Sequence, residues 1–314
     1  MSVIDLSRLP PPAVVETLDY EAILASLKAD LAERMPELAP VLQLESEPLV
    51  KLLQVAAWRE LVLRQRINDA ARAVMLPWAV GADLDNLAAR YDLVRLPGED
   101  DERLRSRVLI GYHALSAAGS AASWRLRAMS VSTDIRQVDV WADRPGRVKV
   151  CLLARVEVDA SALSTEQAAI GLSLFGRHPQ HDAPSPKRWR VAQPSDAIVV
   201  QVAQALLAED VRPLSVEVDV TLADVVPVTV QATLIHPPGP DGALLAAQAR
   251  ARVQALAAQA AFRVDLTRAQ LIAALMGDGI RDVILTAPAA DVSAGHGQIA
   301  AITDVALTTE ARHD

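Results

Sequence analysis

The side chains best suited to metal chemistry are two histidines in residues 173–194. His178 and His181 stand three residues apart, a spacing at which two imidazoles can share a metal on a helix. Pro179 lies between them and prevents a regular helix there, and the nearest carboxylate is that of Asp182. A closed metal site needs about four ligands, so this pair is incomplete. We therefore predict no metal ligands in the chain.

A basic cluster follows in the same segment. Lys187, Arg188 and Arg190 flank Trp189, a combination that can touch phosphates while the indole stacks on a base. The formal net charge of the chain is −8, which opposes binding to a polyanion. We predict a protein contact at this cluster and no nucleic-acid partner, with nucleic-acid binding as an alternative. The four prolines of residues 173–194 predict a long exposed loop.

Patterns typical of catalysis are scarce. The carboxylates of "GEDDER" (residues 98–103) are predicted to form a solvated turn that favours the N-terminus of the next helix. The chain carries no Gly-rich phosphate loop and no G-x-S-x-G pattern, so we predict no catalytic residue and no cofactor. A hydrolase acting on cell-wall or polysaccharide substrates remains the alternative, because carboxylates distant in sequence can converge. The aromatic content of 3% disfavours sugar binding.

Composition predicts a folded protein of two or three domains, since 51% of its 314 residues are hydrophobic. A single cysteine, Cys151, allows no intrachain disulfide, and its apolar neighbours predict a buried, inert thiol. The chain shows neither a signal-peptide pattern nor a long uncharged apolar window. We therefore predict a protein that is made in the cytoplasm and has no membrane partner.

The N-terminal third is predicted to be helical. Residues 1–15 carry three consecutive prolines and predict an extended arm, followed by a helix over 16–35 that Asp19 caps. A longer helix is predicted over 46–77. Its apolar side chains fall at alternating spacings of three and four, which is a heptad-like seam. The seam consists of Leu49, Leu53, Ala56, Glu60, Leu63, Ile67, Ala70 and Val74.

After about residue 131 the apolar period changes from near 3.6 to 2, which predicts strands. The predicted fold class is α+β: an N-terminal helical region able to form a bundle, followed by two small α+β modules. The predicted divisions are residues 1–45 (proline arm and helix), 46–95 (long bundle helix and short helix), 96–130 (helical connector), 131–222 (first α+β module, with an insertion at 173–194) and 223–314 (C-terminal α+β module, expected to dimerise).

Three stretches carry a resemblance to a known family. They are "DLSRLPPPAVVETLDYEAIL" in the arm and first helix, "LESEPLVKLLQVAAWRELVLRQRINDAARAVMLPWAVGADLDNLAARYDLVR" in the long and short helices, and "LLAEDVRPLSVEV", which contains "EDVRPLSV", late in the first module. Together with the order of arm, long helix and two modules, they resemble the baseplate assembly protein J family of contractile-tailed phages and headless, tail-like bacteriocins. The resemblance covers roughly residues 3–310.

The resemblance implies a structural role in a baseplate wedge. In that family two copies combine with one partner wedge protein, and six wedges surround the hub and spike in a ring that rearranges when the sheath contracts. The implied partners are a second copy of the chain, the wedge protein, the sheath-initiator protein and neighbouring wedges. The chain is then expected to be made in the cytoplasm of a bacterial host and assembled into the baseplate of a virion tail or tail-like particle.

The same resemblance implies two interfaces. The long helix would pack on helices of partner chains, and the C-terminal module would pair neighbouring chains. The bundle interface would comprise Leu49, Leu53, Trp58, Glu60, Leu63, Arg64, Ile67 and Val74, and the C-terminal interface Ile280, Val283 and Leu285. The arginines of the long helix would bind carboxylates across chains; they are Arg59, Arg64, Arg66 and Arg72.

Two roles remain open for Glu60 in the middle of the seam. It either fixes the register of the bundle, as a buried polar residue does in a coiled coil, or lies at the edge of the stripe and pairs with Arg64 four residues later.

Overall fold

The protein is described from a computed structural model. The described residues are 10, 12–114, 119–208, 215–239 and 241–312. Most of the predicted proline arm and most of the "EDVRPLSV" motif lie outside them. The chain divides into two compact units, one running to Arg95 and including Glu99–Leu109, the other comprising Leu96–Gly98 and the chain from Ile110 onward. None of the described helices combines the length and apolar character needed to cross a bilayer.

The first unit is helical. Its helices are α1 (Tyr20–Arg34), α2 (Pro48–Ala73), α3 (Gly81–Ala89) and α4 (Asp101–Ala114), which ends in the second unit. Asp19 is the N-cap of α1, as predicted, and its carboxylate accepts hydrogen bonds from backbone N–H groups of the first turn. Helix α2 ends earlier than predicted, at Ala73. A proline ring clashes with the carbonyl four residues before it, so Pro77 stops the helix at this point.

Helix α1 packs along one side of α2. Ile23 and Leu24 are buried against Ala57, and Leu53 and Leu61 are half-buried beside them. This apolar cluster fixes which face of α2 is covered within its own unit.

The acidic turn of residues 98–103 is only partly solvated, contrary to the prediction. The Glu99 side chain is fully buried, and its carboxylate lies 2.7 Å from Arg107 Nη1 and 3.4 Å from Arg103 Nε. A buried carboxylate requires such partners, because its desolvation costs several kcal/mol. The two arginines lie one and two turns further along the chain on α4; Arg103 is the last residue of the acidic pattern, and Arg107 lies beyond it.

The first α+β module is built on a four-stranded sheet. Its strands are β1 (Ile135–Arg144), β2 (Arg147–Asp159), β3 (Lys187–Val191) and β4 (Glu217–Leu222). Strand β2 pairs antiparallel with β1 and β3 and parallel with β4. Helices α5 (Ala121–Met129) and α7 (Ala197–Leu207) pack on the sheet around Trp124, Val202 and Leu206.

Residues 173–194 are not the exposed loop that their prolines predict. They contain the end of α6 (Thr165–Phe175), a turn and strand β3, whose residues are all half-buried. A Cβ atom placed on Gly171 would lie 1.8 Å from the carbonyl oxygen of Trp189, so glycine lets α6 approach the strand. The prolines mark the irregular turn, but the basic cluster after it is an edge-strand sequence.

The C-terminal module has a three-stranded sheet in the order β6-β5-β7. Its elements are β5 (Asp224–His236), α8 (Gly242–Ala257), α9 (Arg268–Leu275), β6 (Asp282–Ala287) and β7 (Gln298–Ala311). Strand β5 pairs parallel with β7 and antiparallel with β6. Helices α8 and α9 cover one face around Ala249, Val253 and Leu271.

The predicted C-terminal interface needs correction. Val283 and Leu285 point into the module's own core, where they are 8% and 7% exposed, and Ile280 packs half-buried against the same core. Side chains alternate along a strand, so the outward position of β6 is Ile284, which is exposed. A partner docking on this strand would meet Ile284 in place of Val283 and Leu285.

Polar side chains of β1 join the two modules within the second unit. The Asp139 carboxylate is buried, accepts a hydrogen bond from the N–H of Gly297 at 3.1 Å and lies 3.3 Å from Arg263 Nε. Gln137 donates to the carbonyl of Ala260 at 2.9 Å. The modules that the sequence analysis divides therefore share one compact unit.

We predict that Cys151 resists thiol reagents in the folded protein. Burial raises the pKa of its thiol to about 11, and Gly297 packs next to the sulfur atom. The folded thiol therefore stays protonated where an unfolded thiol, with a pKa near 8.5, already ionises. We expect labelling by an aromatic disulfide at about pH 8 to be at least ~100-fold slower in native buffer than in guanidinium chloride.

The raised pKa of Cys151 makes the free energy of unfolding depend on pH. It favours the fold below the unfolded pKa, and this contribution declines as the pH rises above about 8.5. Rapid labelling in native buffer would contradict the burial of Cys151.

Candidate functional site

One face of α2 is occupied within its own unit. Val50, Ala57 and Asn68 are buried on this face. The Asn68 side chain accepts a hydrogen bond from the N–H of Glu16 at 3.0 Å and donates one to the carbonyl of Glu16 at 2.9 Å. Helix α1 and the segment before it therefore cover this face from Leu53 to Asn68.

The other faces of α2 carry apolar side chains that the described chain leaves open. Seven such residues are between 45% and 65% exposed. They are Leu52, Val55, Trp58, Val62, Leu63, Ile67 and, directly after the helix, Val74. Scattered apolar residues are normal on a protein surface, but a patch along one helix indicates an interaction site. We call these seven residues the open face.

The predicted seam coincides with the open face in its C-terminal part. Leu63, Ile67 and Val74 are exposed, whereas Leu53 packs in the cluster with α1 and Leu49 is half-buried. A repeat of 3.5 residues drifts by about 20° per heptad around a straight helix. The seam therefore begins beside α1 and moves away from it.

Glu60 lies at the border between the covered and the open face. Its carboxylate accepts a hydrogen bond from Arg64 Nη2 at 2.7 Å, and Arg64 Nη1 reaches Glu16 at 3.1 Å. These contacts, the hydrogen bond with Glu60 first, raise the pKa of the Arg64 guanidinium. The edge pairing considered for Glu60 is therefore present, and a register role in an assembly stays a prediction.

The histidines that first suggested metal chemistry have other surroundings. His178 Nδ1 accepts a hydrogen bond from the N–H of Gln180 at 3.0 Å, which places the proton on Nε2, 3.0 Å from a carboxylate oxygen of Glu157. Both ring nitrogens are thus engaged. Burial is the largest cause that lowers the pKa of His181. Within the described ranges, no group of three His, Cys, Asp or Glu side chains is arranged to hold a metal.

The basic cluster on β3 also has partners inside the chain. Lys187 Nζ lies 2.8 Å from Asp159, and Arg190 donates two hydrogen bonds to Asp196 at 2.6 and 2.7 Å. The ring of Trp189 lies beneath a guanidinium group of β2. A protein contact at this cluster stays a prediction, and its partner would compete with these carboxylates.

Comparison with known proteins identifies the family. Residues 45–98 match the Baseplate J-like N-terminal domain, and residues 228–308 match the Baseplate J-like protein C-terminal domain. The chain is 35% identical over 330 residues to Baseplate protein J of Escherichia phage P2, with 98% of each chain covered. The chain belongs to the baseplate J family. The resemblance noted in the sequence is confirmed.

The two baseplate J matches can be placed on the fold. The N-terminal domain covers α2, α3 and the turn between them, so it contains the whole open face. The C-terminal domain covers most of β5 and β7, together with α8, α9 and β6. The first α+β module of this baseplate J-family protein lies between the matched domains.

Sequence reasoning missed part of the open face. Leu52, Val55 and Val62 do not fall on the predicted seam, yet they are as exposed as its members. Val55 and Val62 lie on another side of the helix, and Leu52 lies beside the seam but outside its spacing of three and four. Plotting every apolar residue at about 100° per position would have shown more apolar surface than one seam.

We predict that Asn68→Ala loosens the packing of the segment before α1 on α2. The change leaves the N–H and carbonyl of Glu16 without their side-chain partner, which costs about 1–2 kcal/mol of unfolding free energy. Urea unfolding followed by circular dichroism measures the loss. Gln65→Ala, at an exposed position of the same helix, is the control and should stay within about 0.5 kcal/mol. Equal stability of the two variants would contradict the assignment.

Proposed function

We propose that this baseplate J-family protein is a structural component of the baseplate wedge of a contractile phage tail or tail-like bacteriocin. Two copies combine with one partner wedge protein, and six wedges form a ring around the hub and spike that rearranges on sheath contraction. The observation that carries the proposal is the open face of α2, which lies within the N-terminal domain match.

The open face supports assembly on physical grounds. Burying apolar surface contributes about 25 cal/mol per Å² to the free energy of association, and an exposed helical stripe is buried when it packs into a groove or against another helix. Trp58 and Leu63 are among its large side chains, and both are more than half exposed. Buried aromatic and aliphatic anchors of this kind carry most of the energy of typical interfaces.

The C-terminal module is the proposed contact with neighbouring chains. Helices α8 and α9 cover one face of its sheet, and the other face exposes Thr229, Gln231 and Ile284. The outer strands β6 and β7 also have edges where another chain can add. The sheath-initiator protein and neighbouring wedges are the proposed further partners in the assembled baseplate, after synthesis in the cytoplasm of the bacterial host.

The contacts of the side chains that could do chemistry also support a structural role. His178, Lys187 and Arg190 are engaged with other groups of the chain. We therefore propose no catalytic function, and no observation favours the hydrolase alternative.

The proposed stoichiometry is tested by co-expression with the partner wedge protein. We expect native mass spectrometry of the purified complex to give two copies of this chain per partner. A chain that stays monomeric beside a folded partner would contradict the proposal.

We predict that Leu63→Asp blocks this assembly without unfolding the chain. Leu63 is 65% exposed, so the charge is solvated in the free chain and the melting temperature should change by no more than about 2 °C. In a packed interface the same carboxylate would be desolvated, costing about 3 kcal/mol or more, which weakens association at least ~100-fold. Leu172→Asp, a half-exposed leucine on α6, is the matched control and should assemble normally.

A further inference from the structure

We propose that the two α+β modules of the second unit move as one rigid body, held together by a clamp around Asp139. The inference rests on the proposed function, because it concerns a ring that rearranges on sheath contraction. In such a rearrangement the junction between the two modules would keep its geometry, and the movement would take place elsewhere. The inference depends on how the modules are connected and on what their separation would expose.

The covalent connection between the modules leaves little room for a hinge. Strand β4 ends at Leu222 and β5 begins at Asp224, so one residue separates the two sheets. The N–H of Ala223 donates to the carbonyl of Leu152 at 2.9 Å. The N–H of Asp224 donates to the carbonyl of Gly297, also at 2.9 Å. Hinges are residues that absorb large changes of φ and ψ, and a rotation here would break both hydrogen bonds.

The carboxylate of Asp139 is the centre of the clamp. The side chain is 1% exposed, and one oxygen accepts a hydrogen bond from the N–H of Gly297 at 3.1 Å. Arg263 Nε lies 3.3 Å from the carboxylate, and His296 Nδ1 lies 3.5 Å from it. The imidazole of His296 also stacks on Trp141, with 5.0 Å between the ring centroids. Asp139 and Trp141 belong to the first module, and their partners belong to the C-terminal module.

Gln137 makes a second polar link, two residues before Asp139 on the same face of β1. Its amide nitrogen donates to the carbonyl of Ala260 at 2.9 Å, and its amide oxygen accepts from the N–H of Phe262 at 3.2 Å. Both partners lie in the segment that follows α8. We call the contacts of Gln137, Asp139 and Trp141 with residues 260–263 and 296–297 the junction clamp.

Opening the junction would separate groups that are costly to expose. Leu153 and Leu174 of the first module share a buried apolar cluster with Ile299 and Ala301 of β7. Their separation would return apolar surface to water, and it would leave the buried carboxylate of Asp139 without its hydrogen bond. Segments that open easily have few buried apolar contacts and solvent-exposed backbone hydrogen bonds. The junction has the opposite character, so the two modules are expected to move together.

Distance measurements on the full-length protein test the rigid body. Spin labels at Leu172→Cys on α6 and Leu244→Cys on α8, two half-exposed positions, report across the junction. Labels at Leu172→Cys and Val200→Cys on α7 report within the first module and are the matched control. Cys151 is buried and stays unlabelled. We expect double electron–electron resonance to give one distance distribution across the junction, no wider than that of the control pair.

Asp139→Ala removes the centre of the junction clamp. We expect the distribution across the junction to broaden, while that of the control pair stays the same. Exchange of the Gly297 amide with deuterium should become about tenfold faster or more, because this N–H loses its acceptor. Asp139→Asn keeps an oxygen acceptor for the N–H and should restore most of the protection.

Asp143→Ala is the control variant for the clamp. Asp143 is an aspartate of the same strand that pairs with Arg147 and Lys149 of the first module. Both readouts should therefore match those of the unmodified protein. Circular dichroism confirms that the variants are folded.

Two results would overturn the proposal. A broad or two-peaked distribution across the junction of the unmodified protein contradicts the rigid body, and unchanged readouts in Asp139→Ala contradict the role of the clamp. The same label pair in the purified wedge complex should give the same mean distance as in the free chain. If the wedge complex forms but this distance shifts, the proposed function stands and the rigid body is wrong.

Discussion

Helix α2 has more apolar surface than its own unit can cover. It is 26 residues long, about 39 Å, while α1 has 15 residues and packs on it around Ala57. One shorter helix can bury one stripe, and α2 carries apolar residues on at least two other sides. Helices owe most of their stability to the burial of an apolar face. The covered side therefore anchors α2 in its unit, and the open face is the surface that the proposed partner would bury.

Arginine has two separate uses in this structure. Within each unit its side chain donates hydrogen bonds to backbone carbonyl groups near the ends of helices, where these groups lack partners within the helix. Arg105 donates to the carbonyls of Leu76 and Ala79 after α2, and Arg252 donates to those of Ala274 and Leu275 at the end of α9. Arg136 does the same at Ala258 after α8. Arg59 and Arg66, between the apolar residues of the open face, are exposed and bind no backbone carbonyl in the described part of the chain. These guanidinium groups are therefore distinct from those that stabilise the fold.

Local sequence signals predicted most elements and few of the long-range contacts. Asp19 at the start of α1 and the hairpin of β1 and β2 followed from neighbouring residues, as capping and alternation are local. Strand β3 was missed because the prolines before it dominate the composition of the segment. The burial of Glu99 was missed because its cations come from the next helix.

The candidate site was predicted in part for a related reason. Heptad spacing identifies which side of a helix is apolar, but not which neighbour covers that side. Leu63 and Ile67 were placed on the seam and are exposed, whereas Leu53 on the same seam is taken by α1. Likewise, the resemblance implied an interface at Val283 and Leu285, but the sequence does not show which side of β6 the module's own core covers. Assigning each face required the packing partner, which is not encoded within the element itself.

The groups most able to do chemistry help to explain why this fold suits assembly. A catalytic base needs a ring nitrogen or carboxylate oxygen open to a substrate, yet His178 uses both nitrogens to fix the turn before β3. Asp139 is equally committed, because its oxygens hold Gly297 and Arg263 and so tie the C-terminal sheet to β1. Polar groups buried in such pairs give precise relative placement of elements, since each unmet partner would be costly. The proposed ring would require that precision within each subunit, and the apolar, arginine-bearing face of α2 is the surface proposed for association.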